Sequence, residues 1–418
     1  MDSKSGTTRS IIIIGALFFI FGFITWLNSV LIPYLKIACE LNNLESYLVA
    51  FSFYISYFVM AIPSAWVLKK TGFKNGMSIG LIAMAIGALV FIPAATSRMF
   101  GLFLLGLFIQ GTGLAVLQTA ANPYITILGP HESAAKRISI MGVCNKIAGA
   151  IAPLALGAVA LKDIDSLVEK IQIMPVVEKT AVLNELALRV INPYIIIAAV
   201  LTLLAFLIFR SGLPEIDTDH ENGKITGLES SKKSIFQFPG LILGTIAMFF
   251  YVGVEVLAAD SVISYASSQG IALSSAKFFA TTTLLSMIMG YIIGIITIPK
   301  FISQENALKI SAILGIVFSF IALITDGFTS VLFISLLGIA NAVVYPAIWP
   351  LAIKGLGRLT KIGSSLLIMA IAGGAVLPLI YGFLADKFNP QQAYWILVPS
   401  YIIILFYAMF GHKIKARE

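Results

Sequence analysis

The chain has 418 residues, of which 59% are hydrophobic and 11% are charged, and its formal net charge is +8. Soluble domains carry about 25% charged residues, so this composition excludes an ordinary soluble domain and indicates an all-α polytopic membrane protein. A membrane β-barrel is excluded too, because its strands alternate polar and apolar residues in segments of about ten. The basic residues stand singly between apolar segments, which argues against a nucleic-acid partner and favours a lipid bilayer as the surroundings.

Twelve apolar segments are long enough to cross a bilayer, which takes about 20 residues per helix. Six precede and six follow a polar connector in the middle of the chain. The sequence therefore predicts twelve transmembrane helices in two pseudo-symmetric six-helix bundles, residues 1–209 and 235–418, joined by a cytoplasmic linker at 210–234. The segments lie near residues 10–35, 46–68, 76–95, 99–127, 137–161, 191–209, 237–266, 276–299, 306–325, 328–353, 361–385 and 391–411.

The first apolar segment follows a short basic stretch, as in a secretory signal peptide, but no small-residue cleavage site ends it. We therefore expect it to be retained as the first transmembrane helix. Cytoplasmic loops of membrane proteins are enriched in Lys and Arg. Of the 28 such residues, 19 fall on the side of the two termini and 8 on the other side, while Lys146 lies inside a segment. Both termini are therefore predicted to be cytoplasmic.

The two halves of the chain share short motifs in the same order. GAIAPLALG at Gly149–Gly157 matches GAVLPLIYG at Gly374–Gly382, 225 residues later. FFIFG at Phe18–Gly22 matches FFYVG at Phe249–Gly253, 231 residues later. An even number of helices per half makes this a parallel repeat, and such repeats place the substrate near the bilayer midplane between the halves. The glycines expected to permit close helix packing are Gly149, Gly157, Gly373 and Gly374.

Several segments carry a more specific pattern. They are FGFITWLNSVLIPYL, LQTAANPYITILGP, NKIAGAIAP, FFYVGVEV, YPAIWPLAIKGLG and KIGSSLLIMAIAGGAVLP. These segments, spread over nearly the whole chain, resemble the major facilitator superfamily and, within it, the fucose permease and glucose/galactose transporter family. The resemblance implies import of a hexose or 6-deoxyhexose (glucose, galactose, mannose or fucose) across the bacterial inner membrane by alternating access, coupled to protons or sodium.

The chain differs from the fucose permease branch at two positions. Ser29 and Gln118 stand where that branch has acids associated with proton coupling and sugar handling. Asn145 and the pair Tyr345-Pro346 match polar positions of the family in the fifth and tenth helices. An uncoupled sugar facilitator is therefore an alternative to a cation symporter, and a transporter-like membrane sugar sensor is a further one.

Three formally charged side chains lie well inside the predicted helices: Lys146, Glu255 and Asp260. Lys146 follows Arg137 by about nine residues, which places it ~13 Å from that loop and near the midplane of a hydrocarbon layer ~30 Å thick. An ammonium at that depth needs a partner or a wet cavity. We expect Lys146 and Glu255 to pair between the halves and to serve coupling or sugar binding, with Asp260 as a further coupling acid. The alternatives are a static salt bridge and, for Asp260, a position at the outer mouth.

A sugar site needs paired hydrogen-bonding groups for the hydroxyls and an aromatic plane for the apolar ring face. Residues four apart share a helix face, as Gln118 and Asn122 do, and likewise Tyr345 and Trp349. The alternative is that the amides only bridge neighbouring helices. The predicted sugar-binding residues, with Trp26 as a further aromatic, are Asn28, Gln118, Asn122, Asn145, Lys146, Glu255, Asn341, Tyr345 and Trp349.

The chain contains no evident nucleophile–base pair or nucleotide-binding loop, so a transporter is favoured over an enzyme or an ATP-driven pump. The three histidines fall in loops or the C-terminal tail, and the two cysteines form no C-x-x-C pair. No metal site or cofactor is therefore expected. The expected partners are a sugar, a coupling cation (H⁺ or Na⁺) and the lipid bilayer, and the expected state is a monomer.

Overall fold

The computed structural model describes residues 2–127, 134–211, 235–298, 300–354, 356 and 359–414. Within these ranges the side chains of 2–11, 122–127, 134–139, 236, 360 and 361 are outside the described set. Every regular element of the described chain is an α-helix or a short 3-10 helix. Of the predicted linker 210–234, all but the first two residues lie outside the described ranges, so the predicted domain boundaries stay a prediction.

Eleven stretches of the described chain are long and apolar enough to cross a membrane. One of them, Asn43–Ser97, has 55 residues, about 80 Å of helix and far more than one crossing needs. Its helix is interrupted at Gly72, whose φ of 77° and ψ of 170° are not helical. This stretch therefore makes two crossings and the described chain makes twelve, as predicted. An even number returns the chain to its starting side, which we call the terminal face; the other side is the distal face.

The first half contains spans 1 to 6, whose helices are as follows: span 1, Asp2–Trp26 and Asn28–Ala38; span 2, the part of Asn43–Leu89 before Gly72; span 3, the part after it with Phe91–Ser97; span 4, Phe100–Ile127; span 5, Ala134–Ala160; span 6, Ile191–Arg210. Two short helices, Ile164–Ile173 and Val176–Leu188, connect spans 5 and 6 at the distal face.

The second half contains spans 7 to 12, whose α-helices are as follows: span 7, Pro239–Asp260 and Val262–Ser268; span 8, Leu273–Thr297; span 9, Gln304–Ile324; span 10, Gly327–Ala342 and Val344–Ile353; span 11, Thr360–Met369 and Gly373–Lys387; span 12, Pro390–Ala393 and Leu397–Met409. Short 3-10 helices occupy Ile235–Gln237, Ala370–Ala372, Tyr394–Ile396 and Gly411–Lys413.

Spans 1 and 7 are equivalent in the repeat, and both are interrupted. Span 1 is interrupted at Leu27 and span 7 at Ser261. Asn28 follows the first interruption and Asp260 precedes the second, so each half has a polar side chain beside its interruption.

Glycine lets the helices of each half cross in contact. A Cβ placed on Gly22 of span 1 would overlap the backbone carbonyl of Asn145 in span 5. A Cβ on Gly373 of span 11 would overlap the carbonyl of Phe249 in span 7. Small residues at such crossings allow backbones to approach closely within membranes. Each half therefore contains the same close crossing, which fixes span 1 on span 5 and span 7 on span 11.

The halves meet along spans 2 and 11 and along spans 5 and 8. Tyr47 of span 2 packs edge-on against Tyr381 of span 11, with ring centroids 5.3 Å apart. Thr281 of span 8 donates its hydroxyl to the carbonyl of Ala150 in span 5 at 3.0 Å. These residues lie in the distal parts of their spans, so the halves are held together on the distal side.

Large apolar side chains remain exposed around the outside of the bundle. Ile62, Ile196 and Ile324 have exposed fractions of 75%, 63% and 77%. A water-soluble monomer rarely exposes so much contiguous apolar surface. A lipid bilayer covers such a surface, in agreement with the expected surroundings of the chain.

Candidate functional site

Two charged side chains from opposite halves form an ion pair inside the molecule. Lys146 Nζ of span 5 donates to Glu255 Oε1 of span 7 at 2.8 Å. Both residues are buried, with exposed fractions of 6% and 9%. Removing one partner of such a pair leaves an uncompensated charge in the interior and costs about 3–5 kcal/mol. The contact expected from the sequence is therefore present, while its part in coupling stays a prediction.

The ring of Trp26 is the second interaction partner of the Lys146 ammonium. Lys146 Nζ lies 4.2 Å from the centroid of this ring, a cation–π contact. Trp26 Nε1 donates to Asn145 Oδ1 at 3.4 Å, and the Asn145 amide donates to the carbonyl of Phe18 at 3.4 Å. A Cβ on Gly149 would overlap the tryptophan ring, so the expected packing role of this glycine is confirmed. One tryptophan thus positions two neighbouring polar residues of span 5.

Tyrosines of several spans interact electrostatically with the carboxylate of Glu255. Three of them are Tyr251, Tyr291 and Tyr345. Tyr251 lies one helical turn before Glu255 on span 7, whereas the other two come from spans 8 and 10. Tyr345 also stacks on Trp349, with centroids 5.6 Å apart and 28° between the ring planes. The acid therefore faces phenol hydroxyls and an aromatic pair within the second half.

The side-chain amides of Gln118 and Asn341 form hydrogen bonds with tyrosine hydroxyls. Gln118 Nε2 of span 4 donates to the hydroxyl of Tyr57 in span 2 at 3.0 Å. Tyr57 interacts electrostatically with Tyr345, across the boundary between the halves. Tyr401 of span 12 donates to Asn341 Oδ1 at 2.8 Å and interacts electrostatically with the carboxylate of span 7. The predicted amides of spans 4 and 10 are therefore each engaged with a phenol, and their predicted contact with sugar stays a prediction.

Asp260 and Asn28, beside the two helix interruptions, are enclosed by protein. Their exposed fractions are 0% and 1%. Neither carboxylate oxygen of Asp260 and neither amide atom of Asn28 has a hydrogen-bond partner among the described residues. Asp260 interacts electrostatically with Lys146 and with Tyr54, whose hydroxyl also has no hydrogen-bond partner within the described chain. The side chain of Asp260 is fully buried, and both its coupling role and the alternative position at the outer mouth stay predictions.

The family model of the Major Facilitator Superfamily matches residues 14–367, well over half of the chain. The chain belongs to the major facilitator superfamily. This major facilitator is 34% identical over 401 residues to the glucose/galactose transporter of Brucella abortus biovar 1 (strain 9-941), covering 95% of this chain and 92% of the relative. It is 30% identical over 419 residues to the L-fucose-proton symporter of Escherichia coli (strain K12), covering 98% and 95%.

A solved structure gives the same result for the fold. The crystal structure of the major facilitator superfamily transporter FucP, in the outward conformation, matches with a TM-score of 0.72 and 29% identity, covering 97% of this chain and 99% of FucP. The predicted family and the predicted fold of twelve spans in two bundles are confirmed. The fold and the relatives are those of membrane transporters rather than enzymes.

In major facilitators the two halves are parallel repeats, and the substrate site lies between them near the midplane. Lys146 and Glu255 meet between the halves in this way. Asn28 is buried at its interruption without a hydrogen bond to the other predicted residues. The side chain of Asn122 lies outside the described residues, so its predicted sugar contact stays a prediction. Within the described ranges, no group of three or more His, Cys, Asp or Glu side chains could hold a metal ion.

The sequence reasoning missed the tyrosines of this major facilitator. Tyr57, Tyr251, Tyr291 and Tyr401 connect the predicted amides and the acid to one another. A buried phenol hydroxyl needs a hydrogen-bonding partner, most of all inside a bilayer. The available signal was spacing: Tyr251 precedes Glu255 by four residues and therefore shares its helix face.

Proposed function

We propose that this major facilitator imports a hexose or 6-deoxyhexose by alternating access, in symport with protons. The observation that carries the proposal is the buried pair of Lys146 and Glu255, which joins the two halves at 2.8 Å. Stability alone gives little reason for such a pair, since well-packed apolar residues of similar volume often stabilise a protein as well or better. Charged groups inside a membrane protein instead mark substrate or proton pathways.

The names of the relatives support a sugar as the substrate, since they are a glucose/galactose transporter and an L-fucose-proton symporter. The surroundings of the ion pair have the matching chemistry. The stacked rings of Tyr345 and Trp349 offer an apolar plane for a sugar ring. The amides of Gln118 and Asn145 can donate and accept at the same time, as neighbouring hydroxyls require. Glu255 can accept from a hydroxyl in a charge-assisted hydrogen bond.

The ion pair offers a mechanism for coupling. Protonation of Glu255 removes its negative charge, so the ion pair is lost and at most a hydrogen bond from the ammonium to a neutral carboxyl remains. The two halves lose their attraction at this point, and the sugar can take the place of Lys146 beside the acid. Lys146 keeps its contact with the ring of Trp26 meanwhile. Deprotonation and sugar release restore the pair, so proton and sugar move together.

Asp260 is proposed as the second coupling acid. An ionised carboxylate enclosed without hydrogen-bond donors costs far more than a protonated one. Asp260 has no such donor among the described residues, so its environment favours the proton-bound form whenever Lys146 is not close. The position of Asp260 at the interruption of span 7 allows the local backbone to move as the proton binds and leaves. The fucose permease branch has an acid where this chain has Ser29. We propose that Asp260 takes the role of that acid here.

The proposed location is the inner membrane of a bacterium, with the terminal face in the cytoplasm. The excess of Lys and Arg on the terminal face supports this orientation. The relatives named above are bacterial proteins. The chain is proposed to work as a monomer, because the whole site is built from one pair of halves.

Transport into proteoliposomes tests the proposal. We expect an inward proton gradient to drive at least one labelled hexose above its equilibrium level, with an uncoupler abolishing the accumulation and sodium leaving it unchanged. Counterflow with glucose, galactose, mannose and fucose identifies the substrate. A lack of counterflow with all four sugars would refute sugar transport, and a requirement for sodium would refute proton coupling.

Variants separate binding from coupling. Glu255→Gln and Asp260→Asn are expected to lose uphill accumulation by at least about tenfold, equivalent to about 1.4 kcal/mol, and Asp260→Asn is expected to keep counterflow. Glu169→Gln, which neutralises an exposed acid at the distal face, is the matched control and is expected to behave as the wild type. Uphill accumulation by Glu255→Gln at the wild-type level would show that this acid has no part in coupling.

Uncoupled facilitation is the second candidate, and one observation favours it. Ser29 and Gln118 replace the acids of the fucose permease branch, and Glu255 is already neutralised by Lys146. A facilitator would equilibrate the sugar at the same final level with and without a proton gradient. The uptake experiment therefore separates the two candidates in the wild-type protein.

A further inference from the structure

On the distal face, the carboxylate of Asp386 holds the beginning of a helix in the other half. Asp386 lies near the end of span 11, and Asn43 and Leu44 begin span 2. Asp386 Oδ1 accepts from the backbone N–H of Asn43 at 3.0 Å and from its side-chain amide at 2.7 Å. Asp386 Oδ2 accepts from the N–H of Leu44 at 2.7 Å. Both carboxylate oxygens of the second half are therefore engaged by the first half.

Asp165 forms the reciprocal contact. It lies in the short helix Ile164–Ile173, just beyond span 5, and it faces the beginning of span 8. Asp165 Oδ1 accepts from the backbone N–H of Leu273 at 2.7 Å, and Oδ2 accepts from that of Ser274 at 3.2 Å. Here a carboxylate of the first half holds a helix of the second half.

The two contacts are equivalent in the repeat. Span 5 corresponds to span 11, and span 2 corresponds to span 8, so each half gives one carboxylate and receives one. The first N–H groups of a helix have no partner within the helix, and they carry partial positive charge. A carboxylate that binds two of them at once therefore makes a directional link between the halves.

The capping of spans 2 and 8 explains why their first backbone N–H groups are available to a carboxylate of the other half. Asn42 caps span 2 by accepting from the N–H of Glu45, which leaves the N–H groups of Asn43 and Leu44 to Asp386. Span 8 begins after Ala272, which has no side-chain oxygen and makes no side-chain cap. Its first N–H groups depend on the acid supplied by the other half.

We propose that Asp165 and Asp386 are gate residues of the transport cycle, which hold the distal face closed and release both helix ends when that face opens. This inference rests on the alternating access of the proposed function but not on the identity of the substrate. Opening by rocking of the halves must break both contacts. The released N–H groups and carboxylates then meet water at the membrane surface, which can replace each lost hydrogen bond. The links can therefore break and form again in each cycle.

The ionisation of Asp165 agrees with this role. Its partial burial raises the pKa, but the hydrogen bonds from Ser274 and Leu273 together outweigh burial and hold the pKa below its usual range. The side chain is therefore a carboxylate at neutral pH, the form that binds two N–H groups.

Distance measurement between spin labels tests the gate without any substrate. Ser97 and Gln392 are exposed residues of opposite halves at the distal face, and cysteines can be introduced there after Cys39→Ser and Cys144→Ser. Pulsed electron paramagnetic resonance then reports the populations of the closed and open distal face. The variants are Asp165→Asn, Asp386→Asn and the double variant, and Glu169→Gln is the control for loss of an exposed acid on the same short helix.

Each single variant is expected to raise the ratio of long to short distances by about 2- to 5-fold, the effect of one carboxylate at a helix start. The double variant is expected to raise the ratio by about the product of the two, since the sites are separate. A wild-type distribution in the double variant would overturn the proposal, as would an equal shift in Glu169→Gln. If the variants shift the distances but no hexose is transported, the gate stands and the proposed substrate fails.

Discussion

Lys146 has two partners of different kinds, and this decides what happens when Glu255 loses its charge. The carboxylate gives a charge-assisted hydrogen bond at 2.8 Å, and the Trp26 ring lies 4.2 Å from the ammonium. A desolvated cation–π contact contributes about 2 kcal/mol, whereas loss of a buried ionic partner costs about 3–5 kcal/mol. The ring therefore offsets only part of the cost of losing the ionic partner.

The first prediction concerns the stability of this pair. Glu255→Gln is expected to reduce the free energy of unfolding by about 3 kcal/mol, because it leaves the ammonium of Lys146 buried without a counter-charge. Lys146→Met added to Glu255→Gln is expected to restore at least half of that loss, since no charge then remains unpaired. The melting temperature in detergent, followed by gel filtration after heating, measures both effects. Equal stability of Glu255→Gln and the wild type would show that the pair does not stabilise the fold.

At the scale of single residues, the sequence identifies the unusual side chains but not the contacts that they make. Lys146 and Glu255 are conspicuous because a charge inside an apolar helix is costly and therefore needs a purpose. The cation–π contact depends on how span 1 crosses span 5, which no single-helix pattern reports. The tyrosines were missed because a phenol fits equally well beside lipid head groups, in an apolar core or in a polar site. Only the packed structure separates Tyr57 from the other thirteen tyrosines.

At the scale of the helices, the crossing of spans 1 and 5 determines where Trp26 lies relative to Lys146. Gly22 touches the backbone at Asn145, and one turn further along the two helices Trp26 meets Gly149. The two contacts set both the distance and the rotation of span 1 against span 5. The position of the tryptophan ring under Lys146 follows from them.

The second prediction tests this crossing. Gly22→Ala is expected to force spans 1 and 5 apart and to lower the free energy of unfolding by about 1–3 kcal/mol, the usual cost of overpacking. Transport is expected to fall with it, because the Trp26 ring moves away from Lys146. Gly101→Ala is the matched control: this glycine lies in span 4 with nothing within 4 Å of an added Cβ, so the variant is expected to be neutral or slightly stabilised. Wild-type stability and uptake of Gly22→Ala would contradict the close crossing.

The helix breaks show which features of an element can be predicted. Span 10 is interrupted at Val343, three residues before Pro346, and a proline ring clashes with the carbonyl four positions earlier. That break follows from the sequence. The interruptions at Leu27 and Ser261 have neither proline nor glycine beside them to mark them. The predicted spans were therefore right in number, but their internal geometry came from the structure.

At the scale of the whole molecule, the two halves share their helical architecture, but the buried ion pair departs from the repeat. Interrupted spans, close crossings and distal carboxylate contacts occur in both halves. The charged pair occurs once: at the offsets of 225 and 231 residues that align the motifs, Ile371 corresponds to Lys146 and Ile24 to Glu255. A symmetric scaffold can rock between two equivalent arrangements, while the proposed coupling depends on the pair that only one arrangement of residues provides.

The third prediction follows from a site that both halves build. In the proposed site a sugar contacts Gln118 on one side and Trp349 on the other, so binding is expected to stabilise the whole molecule rather than one bundle. A ligand at 100 times its Kd adds about 2.7 kcal/mol of stability, so the transported hexose is expected to raise the melting temperature as one cooperative transition. Trp349→Ala is expected to weaken sugar binding about 3- to 10-fold through loss of the stacking surface.

The control for that variant is Trp395→Ala on span 12, whose side chain is half exposed and packs against Phe320 on the outside of the second half. It removes an indole of the same size away from the site, so it is expected to leave the sugar-dependent rise in melting temperature unchanged. If both variants lost the sugar-dependent rise in melting temperature equally, the loss would come from a general destabilisation of the fold and not from a lost sugar contact. Two separate transitions, of which the sugar raises only one, would place the site within a single half and contradict the arrangement around Lys146 and Glu255.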